Sequence, residues 1–225
     1  MRPYDFKYPF SWENRAPTIA DHVLFIPKHY NLNDGWIFPR FEDSVIFGRI
    51  APIWIEYCTG NGAWIIEQAL AHPDRNWIAV EKRFDRVQKI WSKMKNNALN
   101  NLFIVCGDAL QFTKTYLQEQ SVEGIYINFP DPWPKFKHVK HRLLQAPFVA
   151  EMARVSTKHA TTTIVTDDDD YTARICQAML STEQWKPVFP EPYYITEWEG
   201  YGSSYFEQLW REKGKTIHFM QFGLS

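Results

Sequence analysis

The chain has 225 residues, of which 45% are hydrophobic and 16% aromatic, and its formal net charge is −1. This composition excludes a disordered protein and favours a globular α/β protein, and the near-neutral charge leaves any nucleic-acid binding to local basic patches. Cys58, Cys106 and Cys176 lie far apart with no C-x-x-C pair, so we expect reduced thiols and a cytoplasmic location. We find no metal-ligand spacing among the histidines, no signal sequence and no apolar run long enough to cross a membrane. We therefore predict no metal and no membrane partner, and the oligomeric state stays open.

An alternation of strands and helices begins near residue 52 and predicts the fold. Residues 1–50 are aromatic and proline-bearing without a clean period, and we expect them to form an N-terminal extension packed on a main domain of residues 51–225. The predicted strands are 53–57, 77–80, 102–106, 125–128, 161–166 and 216–222, and the predicted helices are 63–70, 84–96, 112–118, 142–153 and 171–180. Pro147 requires a kink or a late start in the fourth helix. This alternation indicates an α/β fold, with a mostly parallel, doubly wound sheet and helices on both faces.

A glycine turn, Glu-Tyr-Cys-Thr-Gly-Asn-Gly over residues 56–62, joins the first predicted strand to the first helix. Gly60 and Gly62 let the backbone approach a ligand closely, next to the amides that begin the helix. A dinucleotide turn would carry a third glycine or alanine where this chain has Ile65, which disfavours a nicotinamide cofactor.

Carboxylates follow or end three successive predicted strands. Glu81 at the end of the second strand can accept hydrogen bonds from two ribose hydroxyls. Asp108 can accept from an adenine amino group, and Glu56 can pair with a ligand ammonium. A single strand-end glutamate is more often a solvated or capping residue. Three of them after a glycine turn favour S-adenosylmethionine, which is cationic and carries no phosphate.

The segment 128–135 reads Asn-Phe-Pro-Asp-Pro-Trp-Pro-Lys and follows a short apolar strand. Its three prolines fix backbone φ angles and exclude a regular helix or central strand. The sequence therefore predicts a stiff loop at a strand end, which holds Asp131 and Lys135 in place. A proline-stiffened surface turn is the alternative.

Basic residues cluster in two places. Residues 135–142 hold four Lys/Arg and two histidines without an acid, and their position directly after the stiff loop favours contacts with phosphates over a merely solvated face. A second cluster follows the second predicted strand, where a solvated face is favoured; it consists of Lys82, Arg83, Arg86, Lys89, Lys93 and Lys95.

Five blocks of the sequence resemble the bacterial tRNA (guanine-N7)-methyltransferases. They are residues 56–62, Val80-Glu81, Gly107-Asp108-Ala109, residues 125–135 with His138, and Thr166-Asp167 followed by Tyr171. The block 128–135 is highly specific to that family. The resemblance implies a Rossmann-like class I methyltransferase fold, S-adenosylmethionine as donor, and tRNA as substrate. The methyl group would be transferred to N7 of a variable-loop guanosine, guanosine 46 of the tRNA.

The resemblance also implies roles for individual residues. The residues expected to contact the donor are Glu56, Gly60, Gly62, Glu81, Asp108 and Asp131. Asp131 is also the expected catalytic residue, and Lys135 and Asp167 are expected to contact the tRNA. Asp167 would accept from the N1–H and N2–H₂ edge that distinguishes guanine from adenine, while Asp168, Asp169 and Asp170 would cap the next helix.

Two segments compete for the family's C-terminal substrate block. Thr196-Glu-Trp-Glu199 has the better four letters, but Ser204-Tyr-Phe-Glu207 has the family's spacing to Gly214 and Ile217. We choose the second segment and predict that Ser204 and Glu207 bind substrate. The chain departs from the family at Cys58, where glycine is usual, and cysteine is strained there if the position needs φ above zero.

N7 of guanine has an in-plane lone pair and no proton, so its methylation needs no base. Positive charge moves to the purine during transfer, and Asp131 would orient the guanine or stabilise that charge. One alternative is an amino-group methyltransferase, which would carry Asn/Asp-Pro-Pro-aromatic where this chain has Asn128-Phe129-Pro130. The other alternative is a catalytically silent RNA-binding protein on a methyltransferase fold.

Overall fold

The computed structural model describes residues 1–9, 16–28, 37–133, 135–202 and 205–225. They divide into two compact units, Met1–Gln118 and Glu119–Ser225. Within the described residues, no helix is both long and apolar enough to cross a membrane.

The first unit is built on a five-stranded sheet. Its strands are β1 (Thr18–Ala20), β2 (Val23–Phe25), β3 (Ile53–Tyr57), β4 (Asn76–Glu81) and β5 (Leu102–Cys106), in the order β1-β2-β5-β4-β3. All pairs are parallel except β1 with β2. Every residue of β4 and β5 is buried, which is typical of a parallel strand covered on both faces. The helices are α1 (Ser44–Phe47), α2 (Ala63–Ala71), α3 (Phe84–Asn96) and α4 (Ala109–Tyr116).

The described residues at the N-terminus lie along α3. The Phe6 ring stacks on Trp91, with ring centroids 4.8 Å apart, and the Phe6 carbonyl accepts a hydrogen bond of 2.8 Å from the Gln88 side chain. Ser92 Oγ donates to the Met1 carbonyl at 2.7 Å. The N-terminal fifty residues also supply β1 and β2, which the sequence pattern did not reveal because three-residue strands are too short to show a period.

The second unit contains a four-stranded mixed sheet. Its strands are β6 (Val122–Asn128), β7 (Ser156–Thr166), β8 (Trp185–Pro187) and β9 (His218–Leu224), in the order β6-β7-β9-β8. β6 and β7 are parallel, whereas β9 is antiparallel to both of its neighbours. The helices are α5 (Ala146–Val155), α6 (Asp169–Leu180) and α7 (Tyr205–Glu212), and a 3-10 helix covers Phe136–His141.

The predicted alternation from residue 52 onward is confirmed. α5 makes the late start that Pro147 allows, because proline is tolerated in the first turn of a helix. α4 begins at Ala109, three residues earlier than predicted, because the Asp108 side chain accepts a hydrogen bond from Gln111 N at 3.1 Å and caps it. β8 and α7 were not predicted.

Candidate active site

The glycine turn in the first unit has three left-handed residues within five. Cys58, Gly60 and Gly62 have φ angles of 60°, 62° and 74°. Gly62 directly precedes α2, and a Cβ atom at this position would lie 2.8 Å from Cγ1 of Ile90, so a side chain does not fit. Gly62 is therefore required where the turn packs against Ile90 of α3, and the turn leads directly into the first amides of α2.

Cys58 has a positive φ angle, the condition under which we predicted backbone strain at this position. Its φ of 60° lies in the left-handed region, which costs an L-residue about 1–2 kcal/mol. The thiol is half-buried and is not part of a disulfide.

Glu81 ends β4 and fastens this turn. Its side chain is 5% exposed; Oε2 accepts a hydrogen bond of 2.9 Å from Gly60 N, and Oε1 accepts one of 2.8 Å from Arg83 N. Arg86 Nη1 lies 3.7 Å from Oε2. Because a carboxylate has about four acceptor positions, Glu81 retains capacity for ligand hydroxyls beside the turn it holds.

The other two predicted donor-site carboxylates differ in exposure. Glu56 is 1% exposed within β3. Asp108 follows β5 after Gly107, caps α4, and has a side chain 52% exposed, with Oδ2 3.9 Å from Lys82 Nζ. The structure thus joins Glu81 directly to Gly60 and leaves the Asp108 carboxylate open to solvent.

The basic cluster near α3 is mostly paired inside the unit. Its contacts are Lys82 with Asp108, Arg83 with Asp85, Arg86 with Glu81, Lys95 with Asp21, and Lys93 Nζ with the Asn61 carbonyl. Lys82 and Arg83 are 74% and 61% exposed, which agrees with the prediction of a solvated face.

The stiff loop in the second unit begins where β6 ends. Phe129 and Trp133 have φ angles of 51° and 42°, so two non-glycine residues in the left-handed region stand on either side of Asp131. Phe129 N donates to the Val165 carbonyl at 2.8 Å. Tyr201 Oη donates to Asn128 Oδ1 at 2.7 Å, between two buried side chains. Strain of this kind persists only where surrounding contacts impose it, and it is common at functional sites.

Asp131 is exposed at the middle of this loop, between the two strained positions. Pro134 lies outside the described residues. Lys135 is exposed at the start of the 3-10 helix, as are Lys137 and Lys140. The predicted phosphate-directed patch therefore presents its lysines to solvent.

The remaining residues of the basic stretch turn toward the loop. The Trp133 ring lies 5.7 Å from His138 and 5.3 Å from His141, measured between centroids. Arg142 Nε donates to the Pro132 carbonyl at 2.6 Å, and Nη2 donates to the Trp133 carbonyl at 3.3 Å. Charge counting along the sequence did not separate these inward groups from the outward lysines.

Asp167 follows β7 and is half-buried. Burial raises the pKa of its carboxyl group above the usual aspartate value, with a smaller contribution in the same direction from Asp168. Asp168 Oδ1 accepts from Tyr171 N at 2.7 Å, which confirms the predicted helix cap. Within the described ranges, no group of three or more histidine, cysteine or acidic residues is arranged to hold a metal ion.

The two candidate C-terminal segments meet at Arg211. Its guanidinium donates to Glu207 Oε1 at 3.1 Å, to Glu197 Oε1 at 3.0 Å and to the Thr196 carbonyl at 3.4 Å. Ser204 lies outside the described residues. The structure thus joins Glu207 to the competing segment through Arg211, which the sequence pattern did not mark as a site residue.

Comparisons with known proteins identify the relatives of this chain. A family model described as "Putative methyltransferase" matches residues 50–220. The chain is 46% identical over 222 residues to the "tRNA (guanine-N(7)-)-methyltransferase" of Chlamydia muridarum, covering 99% of this chain and 97% of that protein. The protein of the same name from Chlamydia felis is 48% identical over the same shares. That from Thermotoga maritima is 31% identical, over 79% of this chain and 56% of that protein.

Solved structures show the fold. The chain matches "Structure of an Antibiotic Related Methyltransferase" with a TM-score of 0.58 at 18% identity, covering 80% of this chain and 90% of that one. It matches "Crystal Structure of 16S rRNA Methyltranferase KamB" with a TM-score of 0.54 at 16% identity, covering 77% and 88%. With its α/β Rossmann-like methyltransferase fold and its near-full-length relatives, the chain belongs to the tRNA (guanine-N(7)-)-methyltransferase family.

Proposed function

We propose that this protein transfers a methyl group from S-adenosylmethionine to N7 of a variable-loop guanosine in tRNA, guanosine 46. The observation that carries the proposal is the 46% identity, over 99% of the chain, with a curated tRNA (guanine-N(7)-)-methyltransferase. The structural features that support it are the glycine turn of the first unit, which Glu81 holds, and the strained Asp131 loop of the second unit.

The glycine turn suits S-adenosylmethionine as the donor. Gly60 and Gly62 give the turn its left-handed backbone, and Glu81, which is fixed at the strand end, would accept from ribose hydroxyls. Asp108 is exposed and would accept from an adenine amino group, and Glu56 would pair with the ligand ammonium. When bound, the donor supplies an electrophilic methyl group on a sulfonium sulfur.

Cys58 provides a test of the donor site. Burial, with a smaller contribution from the charge of Glu81, raises the pKa of the Cys106 thiol to about 12, and burial also raises the pKa of Cys176. Because the thiolate is the reactive form, iodoacetamide should label half-exposed Cys58 and spare the other two cysteines in the native protein.

S-adenosylhomocysteine at ten times its Kd should slow the labelling of Cys58 roughly tenfold, as measured by peptide mass spectrometry over time. A Cys58→Gly variant serves as the control, and it should take up no label with or without the ligand. If the labelling rate of Cys58 is the same at saturating ligand, the donor does not occupy this turn.

In the methyl-transfer step, the residues of the second unit act on the guanine. The bond from methyl carbon to sulfur breaks as the bond to N7 forms; the sulfur keeps the electron pair, and the purine becomes cationic. Asp131 lies between the left-handed residues Phe129 and Trp133, and its carboxylate would stabilise this developing charge. No side chain has to remove a proton, because N7 carries none.

The tRNA contacts divide between phosphates and the guanine edge. Lys135, with the exposed Lys137 and Lys140, would bind phosphates and make binding weaken with salt. Asp167 would accept from the N1–H and N2–H₂ groups of guanine. Glu207, which accepts a hydrogen bond from Arg211, would contact the substrate together with Ser204.

Replacing Asp167 with asparagine should change activity and stability in opposite directions. The folded state raises the pKa of Asp167, so ionising this carboxyl group costs folding free energy. The contribution of Asp167 to stability is therefore fully present below the pKa of the unfolded chain and is lost as pH rises through the raised pKa of the folded protein. Asp167→Asn should therefore unfold at a higher urea concentration at pH 7. Its kcat/KM for tRNA should fall by about 10–100-fold, as expected on loss of a charged hydrogen bond.

The pH dependence gives a second readout for Asp167. The wild-type KM for tRNA should rise as pH falls, starting at a higher pH than an ordinary aspartate would give, and Asp167→Asn should lack this dependence. If the variant keeps wild-type kcat/KM while becoming more stable, Asp167 does not bind guanine.

Chemical mapping tests the proposed function. The protein would be incubated with S-adenosylmethionine and unmodified tRNA. The product would be treated with mild alkali, which opens the imidazole ring of N7-methylguanosine, and then with aniline, which cleaves the chain at that nucleotide. The proposal predicts cleavage at one variable-loop guanosine, which is absent when that guanosine is changed to adenosine. Methyl uptake without alkali lability would instead indicate an amino-group methyltransferase.

A further inference from the structure

Arg142 ends the basic stretch that follows the Asp131 loop, but its guanidinium points back to that loop. It donates to two successive carbonyls, from Nε to Pro132 O at 2.6 Å and from Nη2 to Trp133 O at 3.3 Å. These are the two residues immediately after Asp131. Two parallel donations from one rigid planar group fix the orientation of that peptide segment, which a single flexible donor does not do.

The same guanidinium also contacts the segment that carries Asp167. Its central carbon lies 5.1 Å from the ring centroid of Tyr171, a side chain that is 1% exposed. Tyr171 N donates to the side chain of Asp168, which caps α6. The Tyr171 ring therefore belongs to the first turn of α6, and Asp167 is the residue before that cap. Arg142 therefore links the Asp131 loop to the end of β7 through contacts within one unit.

The backbone of Arg142 is itself held in place. Gln145 Nε2 donates to the carbonyls of Arg142 at 2.7 Å and Lys140 at 3.0 Å, at the end of the 3-10 helix. The guanidinium thus rests on an anchored main chain and contacts a buried ring.

The burial of Arg142 distinguishes it from the exposed lysines of the same stretch. Among the described residues, Nη1 of Arg142 is buried and has no hydrogen-bond partner. A buried donor without a partner costs about 1–3 kcal/mol of folding free energy. The fold therefore keeps the contacts of Arg142 to the loop although the burial of Nη1 is destabilising. The group also does not reach solvent through Nη1, in contrast to the exposed Lys137.

We propose that Arg142 is a positioning residue for methyl transfer, resting on the proposed function. It holds Trp133 in its left-handed conformation and thereby sets the place of Asp131 relative to Asp167, so that the carboxylate that stabilises charge and the one that reads guanine act on the same base. Its loss should slow the chemical step while leaving the affinity for tRNA phosphates unchanged.

The test compares Arg142→Lys with Lys137→Met, an exposed cation from the same stretch. Arg142→Lys keeps the charge but loses the two-point planar donation, and we expect its single-turnover rate with saturating donor and tRNA to fall by about 10–100-fold. Its KM for tRNA and the slope of log(kcat/KM) against log salt should match those of the wild type. Lys137→Met should show the reverse, with a raised KM and a slope reduced by about 1.

Chemical rescue separates positioning from folding. Arg142→Ala should regain single-turnover rate when guanidinium ion is added at millimolar concentration, relative to sodium chloride at the same ionic strength. A rate that follows only the folded fraction, without rescue, would overturn the positioning role. So would an Arg142→Lys variant that behaves like Lys137→Met. An inactive wild type in the same assay would instead overturn the proposed function and, with it, this role.

Discussion

Asp131→Asn should lower the single-turnover rate of methyl transfer to tRNA by about 10²–10³-fold. A prearranged charged group that stabilises charge developing in the transition state contributes a factor of this size. The substitution removes the negative charge and changes little else, because the side chains are nearly the same shape and the loop is held by its own contacts. The affinity for S-adenosylhomocysteine, measured by calorimetry, should change by less than about threefold, roughly 0.7 kcal/mol.

The control for this prediction is Asp74→Asn, an exposed aspartate in the turn after α2 whose side chain is 74% exposed. It should leave rate and affinity at wild-type values. A wild-type transfer rate in Asp131→Asn would show that the loop carboxylate does not act in the step. A large loss of donor affinity without a loss of rate would assign Asp131 to the donor alone.

Glu81→Gln should weaken the binding of S-adenosylhomocysteine by roughly 30-fold or more, equivalent to about 2 kcal/mol. In the wild type, Gly60 N and Arg83 N each donate to one carboxylate oxygen of Glu81. Glutamine replaces one of these oxygens with an NH₂ group, which cannot accept, so one of the two backbone donors would lose its acceptor. Both the turn and its acceptor for ribose hydroxyls would therefore be disturbed. The free energy of unfolding should fall by about 1–3 kcal/mol, because a buried donor loses its partner.

Calorimetric titration of the folded variant, with urea unfolding measured in parallel, checks the Glu81 prediction. The matched control is Glu67→Gln, an exposed glutamate on α2 of the same unit, which should bind the ligand as the wild type does. An unchanged Kd in Glu81→Gln would mean that Glu81 serves the turn only as a structural residue.

The sequence was sufficient to predict the parts of the fold that have a clear period. α3 and β5 have the predicted bounds, because a 13-residue amphipathic helix and an unbroken apolar strand give strong signals. β1, β2 and β8 have only three residues each; β2 and β8 pair with the distant strands β5 and β9, and β1 pairs with β2. That information lies in tertiary contacts and not in the local pattern.

The site was less predictable than the fold, since its geometry depends on side chains distant in sequence. The left-handed angles of Phe129 and Trp133 were not foreseen, because no glycine marks them. In the sequence, nothing distinguishes Arg142 from the other cations of its basic stretch, although its guanidinium faces the loop. Two C-terminal segments competed on sequence match and spacing, and the pattern did not reveal that Arg211 contacts both.

The most direct test of N7 methylation uses two synthetic tRNAs that differ at one atom. One carries guanosine at the variable-loop position, and the other carries 7-deazaguanosine, in which a C–H group replaces N7 and the amino group is kept. Tritium transfer from labelled S-adenosylmethionine should reach the first tRNA and be absent from the second, with both binding the protein equally well. Equal incorporation into both tRNAs would contradict methylation at N7.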